Sequence, residues 1–142
     1  YALTGIVTAA KMEPYRGRAV SADEEAEGDY IALAVGNARQ AGGGFQVTPN
    51  AFLDDGLMDV MAITDFQTKD LGLVIQESQD FTNKDNNFVH YRQVPAFEIE
   101  VPGEMPINLD GEPHRWDHIK FEILPRCLPV VLPEGCPLIK GS

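Results

Sequence analysis

Positive charge is what this chain has least of: 11 Lys and Arg stand against 22 Asp and Glu, for a formal net charge of −11. That balance weighs against nucleic acid as a partner, because such affinity comes largely from Lys and Arg neutralising phosphates. It also gives no electrostatic help towards an anionic membrane surface. Cysteine is nearly absent, and Cys127 with Cys136 makes no disulfide framework, so thiols are expected. No run approaches the roughly 20 apolar residues of a membrane helix, and the N-terminus has no basic region, apolar stretch and cleavage site of a secretory signal. A soluble, cytosolic protein is the expectation. Internal repeats and low-complexity segments are lacking too. With no initiator methionine and a closing "GS", the chain reads as a piece of a longer protein.

The 142 residues, 44% of them hydrophobic, suit one globular domain with an ordinary core. Leu3, Ile6, Val7 and Ala10 recur at helical spacing and predict a short amphipathic helix that stops near Pro14. Beyond it the period changes to two. "YIALAV" (30–35) sets Ile31, Leu33 and Val35 on one face, "MDVMAI" (58–63) alternates likewise, and "FEIEV" (97–101) sets Phe97, Ile99 and Val101 against Glu98 and Glu100. "HIKFEIL" (118–124) points Ile119, Phe121 and Ile123 inward, and the proline-flanked "LPVVLP" (128–133) predicts an edge strand. A second helix is predicted over 68–78, with Leu71, Val74 and Ile75 as its apolar stripe; the polar "QDFTNKDNNFVHY" (79–91) predicts a loop. Short strands broken by Gly and Pro indicate a mainly antiparallel β-sandwich with one or two short helices.

Three stretches could carry chemistry. "PINLDGEP" (106–113) sets Asp110-Gly111 between alternating runs, the signal of a tight hairpin whose two central positions need φ > 0. Glu112 leaves that turn on a fixed backbone, restricted further by Pro113. "GNARQAGGG" (36–44) has no Lys followed by Ser or Thr, so it is no Walker motif, and Val47 stands where the last glycine of a dinucleotide fingerprint belongs. As a glycine-rich connection it allows close approach of a backbone or ligand. "FLDDGLMD" (52–59) gathers Asp54, Asp55 and Asp59 about Gly56, hard oxygen donors for Mg²⁺ or Ca²⁺ outside any EF-hand spacing, or else an ordinary Asp-Gly turn. His114 and His118 lie about 13 Å apart along a strand, at roughly 3.3 Å per residue, too far for one zinc ion. Trp116, between them, reads as a core or interface aromatic.

Taken together, "AVGNARQAGGGFQVTPNAFLDDGLMDV", "INLDGEP" and the closing "FEILPRCLPVVLPEGCPLIK" resemble the C-terminal domain of the diacylglycerol kinase family, in particular the bacterial YegS-like lipid kinases. The resemblance covers almost the whole chain. It implies that residues 1–142 are the β-sandwich domain of a two-domain kinase whose N-terminal domain, carrying the GGDGT signature and binding ATP, is not in this chain. The activity it implies is Mg²⁺-dependent transfer of the γ-phosphoryl group of ATP to a lipid hydroxyl, with the domain inactive alone. It maps the catalytic general base to Glu112, with Asp110 orienting the site or a cation. A regulatory or structural Mg²⁺ maps to the Asp55 carboxylate and the carbonyls of Phe52 and Leu57, with Asp54 an alternative carboxylate and Ca²⁺ an alternative ion. Asn37, Arg39, Gly42, Gly43 and Gly44 are implied to face the cleft between domains, with Arg39 available to phosphate. The implied partners are a lipid with a free hydroxyl, the chain's own N-terminal domain and, peripherally, the cytoplasmic face of the inner membrane. The rival expectation is a stand-alone β-sandwich binding module with a structural cation and no catalysis.

Overall fold

The computed structural model describes residues 12–22, 24–41 and 45–140; the expected helix over Leu3–Ala10 lies outside them. Strands β1 (Tyr15–Ser21), β2 (Glu25–Gly36), β5 (Met58–Thr64), β6 (Val89–Val94), β7 (Ala96–Leu109) and β8 (Glu112–Glu122) form one antiparallel sheet in the order β6-β5-β2-β1-β7-β8. β3 (Gln40–Ala41) and β4 (Phe45–Gln46) pair separately. A 3-10 turn at Thr68–Asp70 runs into helix α1 (Leu71–Glu77). The domain is mainly β, with one short helix among the described residues, as alternation and turn content predict.

Both faces of the sheet are apolar: β5 is paired on both sides, and its neighbouring residues point to opposite faces. Met58 and Val60 join Val94, Phe97, Ile99 and Val101 in one cluster; Met61 and Ile63 join Val74 and Val89 in the other. The helix covers the second cluster through fully buried Val74, with Leu71 and Ile75 beside it, which is the predicted stripe. Only Pro95 separates β6, at one sheet edge, from β7, four strands across. The sheet must therefore curl towards itself, which gives the sandwich-like form and lets Val94 and Phe97 share a cluster.

Four local readings need correction. A bulge between Tyr30 and Ala32 shifts the parity of β2, so Tyr30, Leu33 and Val35 pack on one cluster while Ala32 and Ala34 pack on the other. "LPVVLP" is irregular: Pro129 and Pro133 lack N–H donors, the segment has no strand beside it, and Val131 is fully exposed. The loop after α1 ends sooner than its polar composition suggests, since β6 begins at Val89 and pairs Val89 with Ile63. β1 was not anticipated at all.

Candidate functional site

The hairpin tip is built by local chemistry. Asp110 (φ 49°) and Gly111 (φ 99°) occupy the two left-handed positions of a two-residue turn, and Leu109 pairs with Glu112 across it. Asn108 Oδ1 accepts the Gly111 N–H at 2.8 Å. Glu112 thus starts β8 with its side chain 83% exposed, and its Oε2 lies 3.9 Å from His114 Nε2. His114 stacks on Trp116 with ring centroids 4.6 Å apart, so the predicted core or interface aromatic is a half-open wall behind the tip. His118 faces Glu98 at 2.8 Å instead.

The loop between β2 and β5 is held by a second set of contacts. Gly36 admits Thr48, whose Oγ1 would stand 3.0 Å from any Cβ there and which donates to the Ala38 carbonyl at 2.6 Å. Arg39 donates to Ala51 O at 3.1 Å and Pro137 O at 2.9 Å, and its guanidinium lies 4.8 Å from the Phe52 ring centre. It is a staple between this loop and the C-terminal segment. Asp54 accepts the Lys140 N–H at 2.8 Å, and Leu53 N–H donates to Leu138 O at 2.9 Å. Asp55 instead accepts the Leu57 N–H at 3.0 Å, closing a turn through Gly56 (φ 75°). One end of the Asn37 amide lies 3.3 Å from Phe52 O and 3.2 Å from Leu57 O. The loop therefore gathers Asn37, Phe52, Asp55 and Leu57 in one place. Gly42, Gly43 and Gly44 lie outside the described residues.

Asp59 does not join Asp54 and Asp55. Fully buried, it belongs to a polar knot that sequence reading missed: the Tyr91 hydroxyl and Gln93 amide both donate to its Oδ1, while Asn50 donates to Tyr91 and accepts from Gln93. Its Oδ2 has no hydrogen-bond partner. Burial pushes its carboxyl above the usual range, against the lowering effect of Tyr91 and Gln93, and nearby Asp55 adds to the rise. Burial and then Asp59 push the Tyr91 hydroxyl up in turn.

Among the described residues no hydrogen bond or ion pair joins the hairpin tip to the β2–β5 loop. Topology nevertheless sends them the same way. β2 and β7 run parallel to each other with β1 between, so both connections leave the same end of the sheet. On the face of the first cluster, a groove of about 250 Å³ is lined by Tyr30, Leu33, Val60, Val94 and Phe97, among others, with Glu24, His90 and Arg92.

The sheet order and its curl define a mainly antiparallel, sandwich-like domain. The family described as the YegS C-terminal NAD kinase beta sandwich-like domain matches residues 1–132, and the chain belongs to it. Relatives named "Probable lipid kinase YegS-like" include one from Shewanella frigidimarina (strain NCIMB 400), 37% identical over 100% of this chain and 46% of its own length. Another, from Stenotrophomonas maltophilia (strain K279a), is 36% identical over 99% of this chain and 46% of its own length. The chain thus spans about half the length of the curated relatives it matches. Among solved structures, a "putative diacylglycerol kinase" from Bacillus anthracis str. Sterne superposes with a TM-score of 0.69 at 21% identity, covering 88% of this chain and 43% of that one. That likeness is one of fold.

Proposed function

We propose that this chain is the substrate-side half of an ATP-dependent lipid kinase, inactive without an N-terminal domain that binds ATP. The observation that carries the reading is Glu112: a carboxylate on a backbone fixed by a tight turn and Pro113, open to an incoming hydroxyl, in a chain whose relatives are named lipid kinases. Its role is general base. As the lipid hydroxyl oxygen bonds to the γ-phosphorus of ATP and the bond to the β-phosphate oxygen breaks, Glu112 takes the hydroxyl proton and ADP departs. Asp110, at the left-handed corner of the same turn, sets the approach. Covering by the other half would shed the water that now surrounds Glu112.

Asp55 with the Phe52 and Leu57 carbonyls fits a hard divalent cation, Mg²⁺ or Ca²⁺: one carboxylate and two neutral oxygens, with exposure enough for waters to complete the shell. Asp55 is favoured over Asp54 because its hydrogen bond from the Leu57 N–H keeps it beside Leu57, whereas Asp54 reaches to the Lys140 N–H. Such a cation would brace the loop that faces the other domain, next to Asn37 and Arg39. The apolar groove offers a dry surface to an acyl chain, in keeping with a lipid drawn from the cytoplasmic membrane face by a peripheral enzyme. No helix among the described residues is long and apolar enough to cross a membrane.

In the enzyme complete with its nucleotide-binding half, Glu112→Gln is expected to lower turnover by about 10² to 10⁴, the usual contribution of a general base, with ATP affinity hardly changed. Lipid phosphorylation at the parent rate would reduce Glu112 to a solvated turn residue.

A further inference from the structure

We propose that His114 is the positioning residue of the candidate base: held by Trp116, its ring donates from Nε2 to Glu112 Oε2 and leaves Oε1 to meet the lipid hydroxyl. The proposal rests on the reading of Glu112 above and goes beyond it in naming what aims the side chain.

The turn and Pro113 restrict the backbone at Glu112, but not the torsions of its side chain. A carboxylate 83% exposed has nothing in water to choose among rotamers, yet a general base must come within about 2.6–3.2 Å of the group whose proton it takes. Something else has to aim it. Alternation puts Glu112, His114 and Trp116 on one side of the ribbon, and the register sets Leu109, Ile107 and Met105 opposite them on β7. Those three are apolar. Among the described residues, His114, with Nε2 at 3.9 Å from Glu112 Oε2, is the one side chain that makes a hydrogen bond or ion pair with that carboxylate. A shift of about 1 Å brings the two atoms to hydrogen-bond length.

The histidine is itself held. Its ring is 14° from parallel to the Trp116 indole with centroids 4.6 Å apart, a stacked arrangement that aromatic pairs favour. Its side chain is only 33% exposed. Arg115, between the two rings in sequence, points to the other side of the ribbon and pairs with Glu104 at 3.3 Å, so it does not compete for Glu112. Support therefore runs up one side of β8, from Trp116 to His114 to Glu112. Nε2 carries a proton in one neutral tautomer and in the imidazolium, and both can donate to the carboxylate. The proton taken from the lipid stays on Glu112; His114 orients the acceptor and carries none of it.

The test measures lipid phosphorylation and melting temperature of the enzyme complete with its nucleotide-binding half, as parent, His114→Phe, His114→Gln, Glu112→Gln and the double variant Glu112→Gln/His114→Phe. His114→Phe keeps a ring against Trp116 and loses the donor. It is expected to lower kcat about 10- to 100-fold, with KM for lipid and for ATP and the melting temperature close to the parent's. His114→Gln, which restores a donor, should recover part of the loss. The double variant should be no slower than Glu112→Gln alone, because His114 acts only through that carboxylate. If Glu112→Gln is slow while His114→Phe turns over at the parent rate, or slows Glu112→Gln further by its full factor, the proposal is overturned and Glu112 stands as the base. A loss of kcat that tracks a fall in melting temperature and is not recovered by His114→Gln overturns it too, leaving the stack a packing feature. If Glu112→Gln itself keeps the parent rate, the base reading falls and the proposal with it. Should His114→Phe fail to fold, His114→Ala takes its place and is read in the same way.

Discussion

Two buried carboxylates show how much a residue's meaning depends on what the fold brings to it. Asp59 is held with one oxygen unpartnered, and burial drives its proton affinity up. Glu77 is nearly as buried, yet four donors meet it: Asn87 N–H and Asn87 Nδ2 at Oε1, Phe88 N–H and Val89 N–H at Oε2, at 2.8 to 3.2 Å. Burial alone would raise its pKa, but these hydrogen bonds together hold it below the usual range. A lowered folded pKa means that the stabilisation is full above the unfolded value, near 4.3, and is lost as pH falls through the folded one. Glu77→Gln turns an NH2 towards backbone N–H groups and should cost about 2 to 4 kcal/mol at pH 7. Urea unfolding of parent and variant between pH 7 and pH 3 should show the gap narrowing below about pH 4; a gap that stays constant would mean the charge is irrelevant. Nothing near Glu77 in sequence announces this role, because its donors come ten to twelve positions later. The knot at Asp59 was equally illegible, as Tyr91 and Gln93 lie on another strand.

Elements were legible where the signal was local. The Asp110-Gly111 turn needs only its own two dihedral angles, so the hairpin could be read directly, and with it the placement of Glu112. Strands β7 and β8 declare themselves by alternation, whereas β5, expected to alternate, is buried on both faces. β1 does not, because its fully buried position is Gly17, which meets Val101 Cγ1 and the Glu100 carbonyl and has no side chain to mark the period. "LPVVLP" misled in the opposite sense: apolar content says nothing about whether a pairing partner exists. Beyond the irregularity between Glu100 and Met105, the outer part of the β7–β8 ribbon pairs, among the described residues, only with itself. Strain placed there should stay there. Gly111→Ala forces a side chain to φ 99°, at about 1–3 kcal/mol, and in the complete enzyme should lower kcat by about 10- to 100-fold through misplacement of Glu112. Melting temperature should fall by only a few degrees. An equal loss of kcat and global stability would show that the tip is not an independent part.

Across the whole molecule, five of the six arginines are already engaged. Arg16 pairs with Asp29, Arg18 with Glu25, Arg92 with Glu24 and Arg115 with Glu104, while Arg39 is turned onto carbonyls. Exposed pairs of this kind add little stability, but they take up most of the guanidinium groups of a molecule of net charge −11. Calorimetric titration of the 142-residue chain with Mg-ATP is therefore expected to be flat, phosphoryl transfer needing a phosphate cradle supplied from elsewhere. Micromolar binding would overturn the division of labour between the two halves.

The link through Pro95 bears on how the chain reaches this form. Hairpins such as β7–β8 and β1–β2 can assemble from nearby residues, but the seam between β1 and β7 sets Ala19 opposite Ile99, about eighty positions later. The entropy of closing so long a loop is spent before the seam's contacts return anything, which places this topology among the slow folders. Until that seam closes, β7 exposes one unpaired edge with Phe97 and Ile99 along it, so a newly made chain spends its most aggregation-prone interval with the middle of its future core open to its neighbours.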